Sequence, residues 1–569
     1  MFLSFKVWNK FMMEKSASLH FIYSTLKAVF FIIMVCVLVG CITTDSRISV
    51  SQYPTITTST ECSNRFIEHE LPHITTTRST PPEFFDSNGA GVALADLDNN
   101  GLIDIVLAGL STPVTILWNQ GKMQFIKSSL SIERTRSVNI VDIDSDGRLD
   151  LVFTHVNGLP SVWKGVTDTR SFTRIRDSDT GLWFPVYTMA WGDIDQDNDL
   201  DMIGASYDVE LGRSHDGLVI GGGVFIFENQ NGKMKFLRLA DTAQSLAIAL
   251  TDLNRDGIDE ILIGNDFALR DYVFLKKGEV WEETSKFINT SQNTMSFALG
   301  DINNDGVLEI FSADMKPYEE NQDVMSAWSP VRQKTDKYKA WDGIQIEENV
   351  LQSMPSVENL ESPDHFINIA EDAGVTSTGW TWSAEFGDLD QDGFIDLYAV
   401  NGMISKEMFS HLAMAELIEK NQVLRNDGTG KFEVMETWNL DAIESGRGMS
   451  MADLDNDGDL DIVVNNLITV SKLYENKLCG GSSLQVSLEW QGTKNFQGIG
   501  STLELVTSEG KMRRDVKISS GYLSGSPAQV HFGFNSNTPL ERLIIYWPDG
   551  IKSVLEQPEA NIILTVKRQ

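Results

Sequence analysis

Cysteine is scarce in this chain, with four in 569 residues. That excludes a disulfide-built scaffold, which needs a dense cysteine framework. Cys36 and Cys41 lie in or at the end of an N-terminal apolar run, so Cys62 and Cys479 are the only possible mature pair. Spacing alone leaves a bridge and two free thiols equally open. Positive charge is also short: 46 Lys and Arg stand against 80 Asp and Glu, a net charge of −34. Nucleic acid selects basic surfaces and is a poor match for such a chain. Catalytic signatures are missing too. There is no G-x-S-x-G elbow and no phosphate-binding glycine loop, and the H-E-x-x-H match at His69-Glu70-Leu71-Pro72-His73 has a proline where a zinc-binding helix would run. The N-terminal apolar run, Ala28 to Val39, has signal-peptide length and is short for a membrane span.

What the chain does have is one nine-residue stretch, present seven times. The clearest copy is Asp142-Ile-Asp144-Ser-Asp146-Gly147-Arg-Leu-Asp150, with carboxylates at positions 1, 3, 5 and 9 and glycine at 6. Loop 1 carries Asp96, Asp98, Asn100 and Asp104, and loop 2 carries Asp142, Asp144, Asp146 and Asp150. Loop 3 carries Asp193, Asp195, Asp197 and Asp201, with Asn198 in the glycine place. Loop 4 has Asp252, Asn254, Asp256 and Glu260, and loop 5 has Asp301, Asn303, Asp305 and Glu309. Loop 6 has Asp388, Asp390, Asp392 and Asp396, and loop 7 has Asp453, Asp455, Asp457 and Asp461. Alternate residues of a tight loop aim their oxygens at one centre. Hard oxygen donors at that density suit Ca2+, which takes six to eight oxygens at about 2.3–2.6 Å. Asn198 tolerates positive φ better than most residues, so the third turn can still form.

An EF-hand also begins D-x-D-x-D-G, but it needs its bidentate acid at position 12 and a helix on each side. Here the last acid is at position 9 and β-like runs flank the loop, Val138–Val141 before and Leu151–Thr154 after. One such loop reads as well as a solvated acidic turn; seven in one chain do not. Up to seven calcium ions would bring the net charge to about −20, so the acidity is partly metal-binding capacity.

In chain order, residues 1–41 read as a lipoprotein signal peptide, because the apolar run ends Leu38-Val39-Gly40-Cys41. That ending resembles the bacterial lipobox, in which the cysteine, here Cys41, is lipidated. An uncleaved anchor is the alternative. Ile42 is not the aspartate of an inner-membrane lipoprotein, so the resemblance implies an outer-membrane lipoprotein of a bacterial cell envelope. Residues 42–83 are rich in Ser and Thr and read as a flexible tether. Within it, His69 and His73 have a metal-like spacing, but Pro72 between them argues against a helix. Residues 84–478 form the repeat array. Its first acids are 46, 51, 59, 49, 87 and 65 residues apart, and the shorter steps match a four-stranded propeller blade. The two longest steps contain insertions, about 315–363 and 403–421. In the second, Met408, Leu412, Met414, Leu417 and Ile418 form an apolar stripe near helical spacing. Second hairpins follow several loops, as in Trp118-Asn-Gln-Gly121, Glu228-Asn-Gln-Asn-Gly232 and Arg425-Asn-Asp-Gly428, where Asn and Gly suit tight turns. Residues 479–569 change to alternating runs such as Leu484–Leu488 and Leu543–Tyr546, a small β domain.

The repeats resemble FG-GAP/VCBS repeats, as in the integrin α-chain propeller, through Trp191-Gly-Asp193, Leu299-Gly-Asp301 and Phe386-Gly-Asp388. The last ninety residues resemble the ASPIC/UnbV domain of cartilage acidic protein-like proteins, through Gly498-Ile-Gly500, Ser520-Gly-Tyr522, His531-Phe-Gly533 and Trp547-Pro-Asp-Gly550. The resemblance implies an all-β chain: a seven-bladed β-propeller with calcium-binding Asp loops, followed by a small β-sandwich. It also implies that positions 1, 3, 5 and 9 hold calcium together with a backbone carbonyl at 7.

The functional expectation is a calcium-stabilised, lipid-anchored binding or adhesion protein that recognises an envelope or extracellular protein or glycan. The competing expectation is a calcium-dependent polysaccharide-cleaving enzyme, since calcium-bearing propellers occur among lyases. No catalytic residue is assigned. His155 and His531 read as packed or hydrogen-bonded, and Trp380 and Trp382 as core before they read as a sugar platform.

Overall fold

The computed structural model describes residues 48–55, 62–166, 170–211, 222–267, 269–284, 287–335, 344–354 and 366–569. The expected signal peptide, Cys41, and parts of the expected tether and first insertion lie outside the described residues.

The chain is all-β. Among the described residues seven successive sheets each contain one Asp loop, which links two neighbouring antiparallel strands. Sheet 1 is typical: Val92–Ala95, loop 1, Asp104–Leu107, Val114–Asn119 and Phe125–Leu130, all antiparallel in that order. In every sheet the acid at loop position 9 is the first residue of the strand after the loop, as at Asp104, Asp150 and Asp201. These strands are apolar, for example Ile105-Val-Leu and Ile261-Leu-Ile, and are buried along their length. Such runs form where a sheet is covered on both faces.

That cover comes from the neighbouring sheets. Val106, Ile116, Ile140 and Phe153 share an apolar cluster between sheets 1 and 2. Ile203, Ile226, Ile261 and Phe274 do so between sheets 3 and 4, and Tyr398, Val400, Ile462 and Val464 between sheets 6 and 7. Leu454, Val463 and Leu473 of sheet 7 pack with Leu94, Ile105 and Leu117 of sheet 1. Each such side chain contributes about 1.5–3 kcal/mol on burial.

The expected tether differs in the structure. Ile67–Ile74 is the outer strand of sheet 7, antiparallel to Val470–Glu475. Ile48–Pro54 pairs with Ile562–Arg568 in the C-terminal domain. Between these strands a Cys62–Cys479 disulfide joins Cα atoms 5.4 Å apart. Ser/Thr content hid a period-two pattern, in which His69, Leu71 and His73 alternate with exposed Glu68, Glu70 and Pro72. Pro72 is tolerated because the strand is an edge. His73 is buried against Thr115 Oγ1 (2.9 Å) and Thr75 Oγ1 (3.0 Å), and His69 meets Glu475 (2.7 Å), so the pair shares no metal.

The first insertion contributes the helix Gln322–Thr335. The second, expected to be helix-like, contains only the short 3-10 turn Ala413–Ala415 and a two-residue ladder of Met403–Ile404 with Glu416–Leu417. Met408 and Leu417 are buried, whereas Met414 and Ile418 are exposed, so the stripe is not one face. Residues 482–568 form two four-stranded sheets. One holds the N-terminal strand Ile48–Pro54 beside Ile562–Arg568, Ser482–Trp490 and Gln529–Phe534; the other holds Lys511–Asp515, Thr502–Thr507, Leu540–Tyr546 and Lys552–Glu556. Among the described residues, no helix is long and apolar enough to cross a membrane.

Candidate metal loops and an adjoining cleft

The seven loops share one hydrogen-bond scheme. The position-1 acid accepts the N–H of position 6 in all of them, at 2.8–3.0 Å. The position-9 acid accepts the N–H of position 2, at 2.6–3.3 Å. Two positive-φ residues make this winding possible. Position 6 is Gly in six loops and Asn198 in loop 3, whose φ is 67°. Position 4 is also left-handed in every loop, as in Asn99 (55°), Arg255 (60°) and Asn456 (61°). The sequence hints at that only where position 4 is Asn99, Asn304 or Asn456, since no loop has glycine there.

This winding gathers the acids. One carboxylate oxygen each from Asp96, Asp98 and Asp104 lie within 4.8 Å of one another. So do those of Asp142, Asp144 and Asp146; Asp193, Asp195 and Asp197; Asp388, Asp390 and Asp396; and Asp453, Asp455 and Asp461. In loops 4 and 5 the amides stand among the acids: Asn254 Nδ2 is 2.9 Å from Glu260 Oε1, and Asn303 Nδ2 is 3.2 Å from Asp305 Oδ2.

The donor set fits a hard divalent cation on two observations. First, the buried position-3 oxygens Asp98 Oδ1, Asp144 Oδ1, Asp390 Oδ1 and Asp455 Oδ1 have no hydrogen-bond partner, nor does Asp193 Oδ1. Second, burial pushes the carboxyls up, Asp104, Asp150, Asp193 and Asp453 to about 7 and Asp201, Glu260, Glu309 and Asp388 to about 8. Desolvation is the main cause in each, and a bound cation opposes it. Three loops carry side-chain cations across positions 3 and 5. Lys164 meets Asp144 and Asp146, Arg425 meets Asp390 and Asp392, and Lys477 meets Asp455 (3.4 Å) and Asp457 (2.8 Å). None of these cations was singled out from sequence.

The loops are also tied to one another. Gln196 donates to Gly257 O (3.0 Å), Arg255 to Gly306 O (2.9 Å), Asn304 to Gly393 O (3.0 Å), Gln391 to Gly458 O (3.0 Å) and Asn456 to Gly101 O (3.0 Å). Each bond runs from position 4 of one loop to position 6 of the next. Asn119, Asn229 and Asn426, read from sequence as turn formers, end strands and do fasten their turns, each Oδ1 accepting from Gly121 N (2.8 Å), Gly232 N (2.7 Å) or Gly428 N (3.1 Å). Their amides donate to position-2 carbonyls of the preceding loop, Leu454 O (2.7 Å), Ile143 O (2.8 Å) and Ile302 O (2.7 Å). Asn476 does the same to Leu389 O at 2.8 Å.

Beside loops 1 and 2 lies a cleft of about 1200 Å³, walled on its far side by the C-terminal domain. Tyr53, Trp118, Phe172 and Phe496 line it together with Asp98, Arg148 and Arg170. Arg170 bonds Asp98 at 2.7 Å and stacks over Trp118 at 5.4 Å. Neither histidine nor cysteine is among its lining residues. Trp380 and Trp382 are buried core, His155 bonds Ser161 Oγ (2.8 Å) and His531 donates to Gly458 O (2.9 Å).

This arrangement defines a class, an all-β repeat protein with acidic loops. Family models agree: FG-GAP-like repeats match residues 96–153, 252–312 and 412–464, and the ASPIC and UnbV domain matches 491–569. No curated protein matches the sequence. Among solved structures, BBS1N in complex with ARL6DN, soaked with mercury, is similar at TM-score 0.38 and 8% identity, over 72% of this chain and 97% of that one. Saccharomyces cerevisiae Sqt1 is similar at TM-score 0.38 and 11% identity, over 73% and 100%. Neither likeness bears on what this chain does.

Proposed function

We propose that the seven sheets are the blades of a closed propeller, that calcium fills its Asp loops, and that the chain is a lipid-anchored envelope protein that binds an extracellular protein or glycan. The ring reading is supported by the packing of sheet 7 on sheet 1 and by the loop-to-loop bonds that pass from loop 3 through loop 7 to loop 1. In the bound state Asp96, Asp98, Asn100 and Asp104 of loop 1, and their counterparts, hold the ion, which neutralises their crowding. The observation that carries the binding reading is the cleft beside loops 1 and 2, where aromatic and charged side chains meet.

The test uses the secreted chain with excess calcium, a panel of polysaccharides and envelope extracts, and mass spectrometry of the products. Retention of a ligand without shortened products supports the binding reading, and loss of retention in Arg170→Ala assigns it to the cleft. Shortened products that vanish with a chelator replace it with the polysaccharide-cleaving reading. Anchoring is tested separately: Cys41→Ser abolishes the acyl mass, and an unchanged acyl mass refutes the lipid anchor.

A further inference from the structure

The C-terminal domain touches the rest of the molecule in two distinct ways. At the loops, Asn495 N donates to Asn198 O (2.7 Å), Arg513 Nη1 to Gly306 O (3.2 Å) and His531 Nε2 to Gly458 O (2.9 Å). All three acceptors are position-6 carbonyls, of loops 3, 5 and 7. Gln485, 1% exposed, reaches the position-1 acid Asp453 of loop 7 through Nε2.

The second contact is deeper. The segment Ile518 to Pro527 leaves the domain and runs between the strands that lead into the loops. Leu94 N donates to Gly525 O (3.2 Å) and Gly525 N to Val92 O (2.9 Å), both in sheet 1. Asn139 of sheet 2 donates to Ser524 O (2.9 Å), and Ser450 of sheet 7 to Gly525 O (3.1 Å). Tyr522 N donates to Ser383 Oγ of sheet 6 (3.1 Å), and its hydroxyl meets that of Tyr187, just before sheet 3, at 2.5 Å. Tyr522 is fully buried, with its ring 5.0 Å from that of Trp382. There is no spare room, since a Cβ at Gly91 would come 2.2 Å from Leu523 O.

We propose that the C-terminal domain is a stopper for the middle of the ring, and that metal in the loops keeps it seated. This rests on the ring and calcium readings above. A position-6 carbonyl points where positions 4 and 6 aim it, and the N–H of position 6 is held by the acid at position 1. In loops 3 and 7 the acids gathered within 4.8 Å repel one another where no metal balances them, Lys477 offsetting only part of this in loop 7, so these loops change shape when the metal leaves. The carbonyls that seat the domain move with them, and segment 518–527 loses its footing.

Hydrogen exchange on the whole secreted chain, with calcium and then with a chelator, tests this. The expected result is at least about tenfold faster exchange at 518–526 on chelation, together with faster exchange of the loop amides, while strand Glu260–Asn265 stays protected. Opened loops with an unchanged segment overturn the stopper and leave the calcium reading intact. Loops that do not respond overturn both. If the strand also exchanges, the ring itself has unfolded, and Arg513→Ala with calcium bound takes the place of chelation. Faster exchange confined to 518–526 then supports the proposal, and unchanged exchange there overturns it.

Discussion

Asn119 shows how much one side chain does here. It is fully buried, and its Nδ2 donates to Ile103 O (2.9 Å) in its own sheet and to Leu454 O (2.7 Å) in the sheet beside it. Its own N–H donates to Asp104 Oδ1 at 2.7 Å. Asn119→Ala leaves the buried Leu454 carbonyl and the half-buried Ile103 carbonyl without this partner and should cost about 1–3 kcal/mol, measured by urea unfolding with calcium present. A cost near zero would remove the inter-sheet role. His73 gives a second prediction. Burial is the main cause that lowers its pKa from 6.5 to about 4. The unfolded chain therefore takes up a proton between those values that the folded chain refuses, so stability from this site is full above about 6.5 and is lost as pH falls toward 4. His73→Gln should flatten the wild-type fall in stability across that window, by up to about 3 kcal/mol. An unchanged pH slope would refute it. The loop acids were legible from sequence because their spacing is strict. The asparagine latches were not, because Asn before Gln-Gly or Asp-Gly looks like turn chemistry whichever role it plays.

Among the elements, the N-terminal strands matter most. Ile67–Ile74 completes sheet 7 and Ile48–Pro54 completes a sheet of the C-terminal domain, with the Cys62–Cys479 bridge between them. Replacing both cysteines with Ser should cost about 2–4 kcal/mol, read as the difference between the oxidised wild type and the double variant in denaturant. Equal midpoints would show that the bridge adds nothing. The strands of the repeats and of the C-terminal domain could be read from alternation and from the apolar runs after each loop. The N-terminal pair could not, since a strand added from far away in sequence is recognised only by its partner. The 403–421 insertion failed for a related reason: its apolar residues are spaced like a helix but are shared out among unrelated contacts.

At the scale of the whole molecule, the proposed calcium ions would be the costliest loss. Several sites, each saturated about a thousandfold above its dissociation constant, add about 4 kcal/mol apiece. Chelation should lower the melting temperature by about 10 °C or more, followed by calorimetry with and without calcium. A melt that ignores both chelator and added calcium would contradict the metal reading of the loops.

The return of the chain's beginning to its end also sets an order of events. Ile67–Ile74 has nothing to pair with until Val470–Glu475 exists, and Ile48–Pro54 waits for Ile562–Arg568. The segments made first are thus among the last to be placed. A chain made N-terminus first leaves Ile67–Ile74 unpaired until Glu475 is made and Ile48–Pro54 unpaired until Arg568 is made, and non-local pairing of this kind is slow. Folding of this protein therefore finishes only when its last strand is made, and a chain stopped short leaves an open edge for any chaperone, or any other strand, to take.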